Sequence, residues 1–330
     1  MQPGGVSVVD RPDPVAAADG AVVAVHSCGI CGSDVHVVEA GVRRHGMVLG
    51  HEFSGTVVSV GGDVSDLAVG QVVAVNPLGG CGDCAACRQD LPLICAEVPN
   101  LGLTAPGGFA ELVAVPRAQL FSLPEGVDPE LGAHAEPLAV ALHAIAQAGA
   151  PPGADALVFG VGPIGLRVIL GLRACGAGRI VAVGRSAGRR AAAAAVGADM
   201  VLDSRETDVV AWASSSGLSF PQVYECSAAP EALARCISVL AAGGTVVEVG
   251  LPSQPATLDV RQLVSRNLHL VGSCAFGVPE YRRALELLCS GAVDVEPLVS
   301  ERVPLAGAPD ALYRLRRPGD LVGVLVQPWR

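Results

Sequence analysis

From Ala156 onward, short apolar runs alternate with helix-forming segments, and a glycine-rich turn joins the first such pair. Ala156–Phe159 reads as a buried strand and Gly165–Cys175 as a helix, with Gly160-Val161-Gly162-Pro163-Ile164-Gly165 at the junction. The series continues through the strand Ile180–Val183 and the helix Arg189–Val196. Strands at Met200–Leu202, Gln222–Glu225, Thr245–Val249 and His269–Gly272 follow, with Pro230–Leu240 helical between two of them. Strands separated by helices of this length fold as a doubly wound parallel sheet, because a parallel connection has to cross the sheet face.

The residues before this region follow a different pattern. Ala21–His26, Thr56–Val60 and Gln71–Val75 are short Val-rich runs bounded by Gly, Asp or Pro, as in a barrel-like β domain. Around Pro137–Ile145 the chain turns Ala/Leu-rich and helical, and Pro151-Pro152-Gly153 stops it. A further helix, Pro279–Ser290, opens the tail. The 330 residues have room for two cores.

The glycine motif fits G-x-G-x-x-G in its required place, after a strand and opening a helix. Gly160 permits a tight turn, and Gly162 lets backbone approach a pyrophosphate at the positive helix end. Gly165 lets helix and strand pack closely, while Pro163 and Ile164 lie inside the loop. A fold that prefers NAD places Asp or Glu about 20 residues on, for the ribose 2′-hydroxyl. Here that position is Gly184, followed by Arg185, Ser186, Arg189 and Arg190. Arginine binds a 2′-phosphate bidentately and a carboxylate would repel it, so NADP(H) is expected ahead of NAD(H). The alternative is that these arginines only solvate a helix start.

Two groups of residues have metal-binding chemistry. Cys81, Cys84, Cys87 and Cys95 put four thiols into fifteen residues of a Gly- and Asp-rich loop, which suits a closed tetrahedral zinc site. Iron–sulfur ligands share such spacing. A four-thiolate site has no open position, so its expected role is to fix a lobe without a core. Cys31-Gly32-Ser33-Asp34-Val35-His36, Gly50-His51-Glu52-Phe53 and the distant Glu136 offer thiolate, imidazole and carboxylates, which suit a catalytic zinc with an open fourth position.

Composition removes several alternatives. A formal charge of -10 argues against nucleic acid as the main partner. Hydrophobic residues at 51% exclude a disordered chain. All the basic residues are Arg, so no Lys serves as base or Schiff-base partner. No apolar run reaches the ~20 residues of a membrane span, and residues 1–10 show no signal-peptide pattern. A soluble, cytoplasmic protein is expected, whose eleven Cys are ligands or thiols rather than disulfides.

In this order along the chain, these motifs resemble those of the zinc-dependent medium-chain dehydrogenases/reductases. The resemblance rests on Cys31-Gly-Ser-Asp-x-His36, Gly50-His51-Glu52-Phe53-Ser54-Gly55, the four cysteines, Glu136-Pro137-Leu138-Ala139-Val140 and Gly160–Gly165. Gly107-Gly108-Phe109-Ala110-Glu111 and Glu136-Pro137 look most like the polyol branch, the sorbitol, threonine and 2,3-butanediol dehydrogenases. The chain departs from the family in beginning almost inside the segment Val6–Val9. Either the start codon is misassigned or the edge strand is short.

The resemblance implies an α/β protein with a GroES-like β-barrel catalytic domain and a Rossmann domain. The expected divisions are 1–137 catalytic with the structural-zinc lobe, 138–277 nucleotide-binding, and 278–330 returning to the catalytic domain. It implies Cys31, His51 and Glu52 as zinc ligands, with Glu136 close by and exchanging with water or Glu52. It implies two zinc ions per chain, a proton relay through Ser33 to His36, and a homodimer or homotetramer pairing near His269–Gly272. The substrate is a small alcohol or ketone, lined by Val37–Met47 and Cys274–Val278. The six cysteines outside the two metal groups, Cys28, Cys175, Cys226, Cys236, Cys274 and Cys289, are expected to be small buried hydrophobes, and Asp90 a surface charge. Two competing readings are a zinc-free quinone or enoyl reductase of the same fold, and a zinc-ribbon binding module.

Overall fold

The computed structural model describes residues 5–39, 47–89, 91–316 and 319–330. Most of Val37–Met47, including His45, and also Asp90 lie outside the described residues. The chain divides into two compact units. One comprises Met1–Pro137, Phe276–Val295 and Val299–Arg330; the other comprises Leu138–Ala275 and Glu296–Leu298.

The first unit opens with β1 (Gly20–Gly29), α1 (Gly32–Glu39), β2 (Glu52–Val60) and β3 (Val72–Val75). β4 (Leu112–Pro116), β5 (Leu120–Ser122) and the short α2 (Pro129–Gly132) follow. α3 (Ala135–Ala148) then leads into the second unit. That unit alternates β6 (Ala156–Phe159), α4 (Pro163–Ala174), β7 (Ile180–Gly184), α5 (Ala187–Ala195), β8 (Met200–Asp203) and α6 (Val209–Ser215). It continues with β9 (Phe220–Glu225), α7 (Ala232–Val239), β10 (Leu240–Glu248), α8 (Val260–Ser265) and β11 (His269–Gly272). The chain returns to the first unit as α9 (Val278–Cys289), β12 (Glu301–Val303), α10 (Ala308–Leu315) and β13 (Val324–Val326).

The first unit holds a seven-stranded mixed sheet in the order β12-β13-β1-β2-β3-β5, with β4 also on β1. Val23, Val25, Val57, Val73, Val113 and Val115 form its core from strands β1 to β4. In β4 the buried residues alternate with partly exposed ones, as in a strand with one face in the core. A smaller cluster joins Ile30 and Val35 to Leu312, Val324 and Val326, fixing α1 against the C-terminal elements.

The second unit holds a six-stranded parallel sheet in the order β11-β10-β9-β6-β7-β8. The chain runs outward from β6 in one direction and resumes at β9 in the other, so β6/β9 is the topological switch point. β6 and β7 are buried throughout, and so read as continuous apolar runs.

Several sequence expectations shift here. β10 begins at Leu240 immediately after α7, with an irregularity before Thr245, so the helix expected to reach Leu240 ends at Val239. The segment Val6–Val9 forms no strand. Cys175 and Cys274 are exposed rather than buried, because Cys175 caps the end of α4 and Cys274 follows the last parallel strand.

Candidate active site

The register of β1 on β2 explains how a ligand set split by twenty residues comes together. Gly29, the last residue of β1, pairs with Glu52, the first of β2. Cys31 follows one and His51 precedes the other. One donor atom each from Cys31, His51 and Glu52 lies within 4.8 Å of the rest. A soft thiol, an imidazole and a carboxylate held this closely leave a fourth position open, the donor set of a catalytic zinc. The set therefore fits the ion expected from sequence.

Asp34 holds the two ligand segments together. Its buried carboxylate accepts from Cys31 N at 3.0 Å and Gly50 N at 3.4 Å. The same group lies 3.7 Å from His51 Nδ1, leaving Nε2 to face the donor cluster. Orientation of a ligating imidazole by a carboxylate at its far nitrogen is the usual support for such a site. Burial pushes the Cys31 thiol up, against the pull of His51. For His51, burial favours the neutral ring, but Cys31 and Asp34 outweigh it and raise the imidazole well above its usual value.

Ser33 Oγ is 3.5 Å from His51 Nε2, on the first turn of α1. His36 lies three residues on along the same helix face, its side chain 71% exposed and 3.5 Å from Glu39. Glu136 is buried in the first turn of α3. It acts on Cys28 and Tyr281 electrostatically and is not in the three-residue donor group.

The four lobe cysteines also converge, with their Sγ atoms within 4.8 Å of one another. Cys81 and Cys87 are 3.9 Å apart at sulfur, close to the roughly 3.8 Å of thiolates around one tetrahedral zinc with 2.3 Å bonds. Backbone N–H groups of Cys84 and Cys87 point at the Cys81 and Cys84 sulfurs, at 3.3 and 3.4 Å. N–H groups of Cys81 and Glu97 hold the Cys95 thiol down to about 6. The Gly82 N–H pulls Cys87 down, but burial and contact with the other three thiols push it up to about 11. Ile94 is 67% exposed in this lobe, which has little apolar packing of its own.

In the second unit the glycine motif connects β6 to α4. Gly160 has φ +104, and a Cβ there would lie 2.6 Å from Ser227 N. A Cβ at Gly165 would run into the Gly160 carbonyl. Gly162 is the N-cap of α4 and Pro163 opens the helix, with Ile164 beside it. No acidic residue occupies the first turn, so the positive helix end is uncompensated. Two further features were missed in the sequence. Arg167 is buried on α4 and donates to the Pro163 carbonyl at 3.1 Å.

The second is a carboxylate at the end of β8, beside the end of β7. The register pairs Gly184 with Asp203 of β8. Asp203 binds Arg205 at 2.6 Å and Arg190 at 2.7 Å, and Arg205 foremost holds its carboxyl well below the usual carboxylate range. Arg190 is thus engaged, and it also donates to the Arg185 carbonyl at 2.6 Å. Ser186 caps α5 by accepting from Arg189 N at 3.3 Å. Arg185 is exposed. A strand-order signal could have located Asp203, since parallel neighbours end at the same edge.

Comparison with known proteins identifies the family. The alcohol dehydrogenase GroES-like domain family matches residues 17–125, and the zinc-binding dehydrogenase family matches residues 163–290. An uncharacterized zinc-type alcohol dehydrogenase-like protein of Escherichia coli is 35% identical over 322 residues, covering 92% of this chain and 90% of its own. Sorbitol dehydrogenase of Bacillus subtilis is 30% identical, covering 98% of this chain and 95% of its own. A crystal structure of a zinc-binding dehydrogenase from Sinorhizobium meliloti bound to NADP superposes with a TM-score of 0.91 at 33% identity, covering 98% of this chain and 96% of that one. With its GroES-like and Rossmann-type units and its zinc-type donor sets, the chain belongs to the zinc-dependent medium-chain dehydrogenase/reductase family.

Proposed function

We propose that this protein transfers hydride between NADP(H) and a secondary alcohol of polyol, sugar or cyclitol type. The observation that carries the reading is the convergence of Cys31, His51 and Glu52 in a chain that also presents a dinucleotide turn. Relatives acting on polyols, sorbitol dehydrogenase among them, support the substrate class. Catalysis is assigned to residues 1–137 and 278–330, and nucleotide binding to 138–277.

Cys31, His51 and Glu52 would hold the catalytic ion, and Glu136, buried at the start of α3, would exchange with Glu52 or water. Bound zinc supplies Lewis-acid polarisation of a hydroxyl or carbonyl oxygen, while the nicotinamide supplies the hydride chemistry. Ser33 takes the substrate hydroxyl proton, and His36, exposed on the same helix face, passes it to water. Cys81, Cys84, Cys87 and Cys95 hold a second, structural zinc.

Arg185 and Arg189 favour a 2′-phosphate, whereas Arg190 is taken up by Asp203; the NADP-bound neighbour supports this reading. Asp203 does not counter them, because two guanidinium groups neutralise it. A homo-oligomer is supported by the exposed edge strand β11, which carries the exposed apolar Leu270. Eleven free thiols suit the cytoplasm, and no helix among the described residues is long and apolar enough to cross a membrane.

The test is a screen of polyols, cyclitols and ketones with each nicotinamide cofactor, alongside a zinc count. Turnover with NADP(H) ahead of NAD(H), abolished by chelation, is expected. Binding of zinc by the four-cysteine lobe alone, with no turnover of any alcohol or ketone, would defeat the proposal.

A further inference from the structure

Two glutamates outside the machinery above meet at the carboxyl edge of the parallel sheet. Glu225 ends β9, Glu248 ends β10, and the ladder pairs them residue to residue. Glu225 is 1% exposed. Its carboxyl group accepts backbone N–H bonds from Ser227 at 2.8 Å and Ala228 at 3.0 Å, and a third bond from the Ser227 hydroxyl. Acceptance from three donors suits the charged form. Glu248 lies against Glu225, its pair in the ladder, and its Oε2 is buried with no hydrogen-bond partner among the described residues. A hydrogen bond between two carboxyl groups needs one proton, which belongs on the group with no N–H donors.

The Ser227–Ala228 turn held by Glu225 backs onto the dinucleotide loop. Ala228 has φ +56, a left-handed conformation that a non-glycine residue keeps only when its neighbours enforce it. Ser227 N is the atom that a Cβ at Gly160 would strike. Cys226 N donates to the Phe159 carbonyl at 2.8 Å, tying the same turn to the end of β6.

We propose that Glu225 and Glu248 are a proton-sharing pair of positioning residues. Charged Glu225 fixes the turn behind the dinucleotide loop, and neutral Glu248 holds Glu225 in place by donating its O–H. Burial, and then the neighbouring Glu225 charge, push the Glu248 carboxyl up to about 8. The other groups facing the pair carry no charge. They are the Cys226 thiol on β9, the Cys236 thiol on α7, and Ser273 after β11, whose N–H donates to the Glu248 carbonyl at 2.9 Å. Burial pushes both thiols well up, so they stay neutral. Among the described residues, Glu225 is the only charged group acting on Glu248. When Glu248 loses its proton to solvent, two carboxylates abut and the turn is no longer held.

This inference rests on the dinucleotide reading, so the test keeps the two apart. NADPH binding to zinc-loaded wild type, Glu248→Gln and Glu225→Gln is measured from pH 7 to pH 9. Infrared spectra of the same proteins follow the C=O band of an un-ionised carboxyl. Wild-type affinity is expected to fall roughly tenfold by pH 9, as one proton is lost with a midpoint near 8. Glu248→Gln, whose amide still donates, should bind equally at both ends of the range and lack the titrating band. Glu225→Gln should bind weakly throughout. A Glu248→Gln variant that repeats the wild-type pH profile, or a wild type without the band, overturns the pair. If wild type binds no nicotinamide dinucleotide, the dinucleotide reading and the positioning role fall together, and the infrared band alone decides the shared proton.

Discussion

Asp34 gives the sharpest test of how the metal centre is built. It is 1% exposed and accepts from two backbone N–H groups on different segments, Cys31 N and Gly50 N, while facing His51 Nδ1. Asp34→Ala leaves both N–H groups without this acceptor. A buried donor stripped of its partner costs about 1–3 kcal/mol, so a loss of about 2–6 kcal/mol is expected in zinc-free protein. Asp34→Asn keeps one oxygen but turns an NH2 toward the other donor, and should lose about half as much. The orienting contact to His51 adds a metal component. Loss of such support lowers affinity about 10–100-fold, or about 1.4–2.7 kcal/mol. Urea melts with and without a chelator separate the two components, and zinc competition titrations measure the second directly. The gap between wild type and variant should widen when zinc is present. If Asp34→Asn binds zinc as tightly as wild type and melts at the same urea concentration, Asp34 does not support the site.

Four other outcomes follow from the structure. Cys31→Ala or His51→Ala should abolish turnover and leave dinucleotide binding intact, as read by fluorescence titration; a variant that keeps most of its rate removes the catalytic-zinc assignment. Cys84→Ser should lower zinc content and melting temperature before it changes the rate of surviving protein, because the lobe has little packing to replace the metal. Arg185→Ala should weaken NADP(H) by about tenfold, the loss of one charge-assisted bond, and leave NAD(H) unchanged; Gly184→Asp is a poorer probe, since its Cβ would collide with the Val161 side chain. Glu248 holds its proton in the fold up to about 8, whereas the unfolded chain releases it near 4.5. Its contribution is therefore complete below the lower value and lost as pH rises through the upper one. Screening of this half-buried group should cut the ideal slope of about 1.4 kcal/mol per pH unit to roughly half, and Glu248→Gln should remove it from pH-dependent urea melts.

The sequence reads well wherever local pattern and chemistry coincide. Ala156–Phe159 is a strand with the expected bounds, because a buried parallel strand is an unbroken apolar run with abrupt ends; His269–Gly272 also keeps its bounds, though as an exposed edge strand. The donor residues Cys31, His51 and Glu52 are visible because few other roles need a thiol, an imidazole and a carboxylate in short glycine-flanked motifs. What is not legible depends on register. Asp203 lies nineteen residues from Gly184 in sequence and beside it in the sheet. Glu225 and Glu248 look like ordinary strand-end acids until β9 and β10 are paired. Cys175 and Cys274 follow the apolar-residue rule poorly, because each sits just beyond an element's end rather than on its inner face.

The central strand β1, near the start of the chain, takes one of its neighbours from β13, near the end. The parallel sheet of the second unit is built from one uninterrupted stretch of chain. During synthesis the latter can therefore close while the former still presents an open flank along Cys28 and Gly29. A ribosome stalled before Val324 would release a polypeptide with a finished nucleotide-type sheet and an adhesive, half-zippered partner. Truncation at this end should thus produce aggregation rather than a merely slower enzyme.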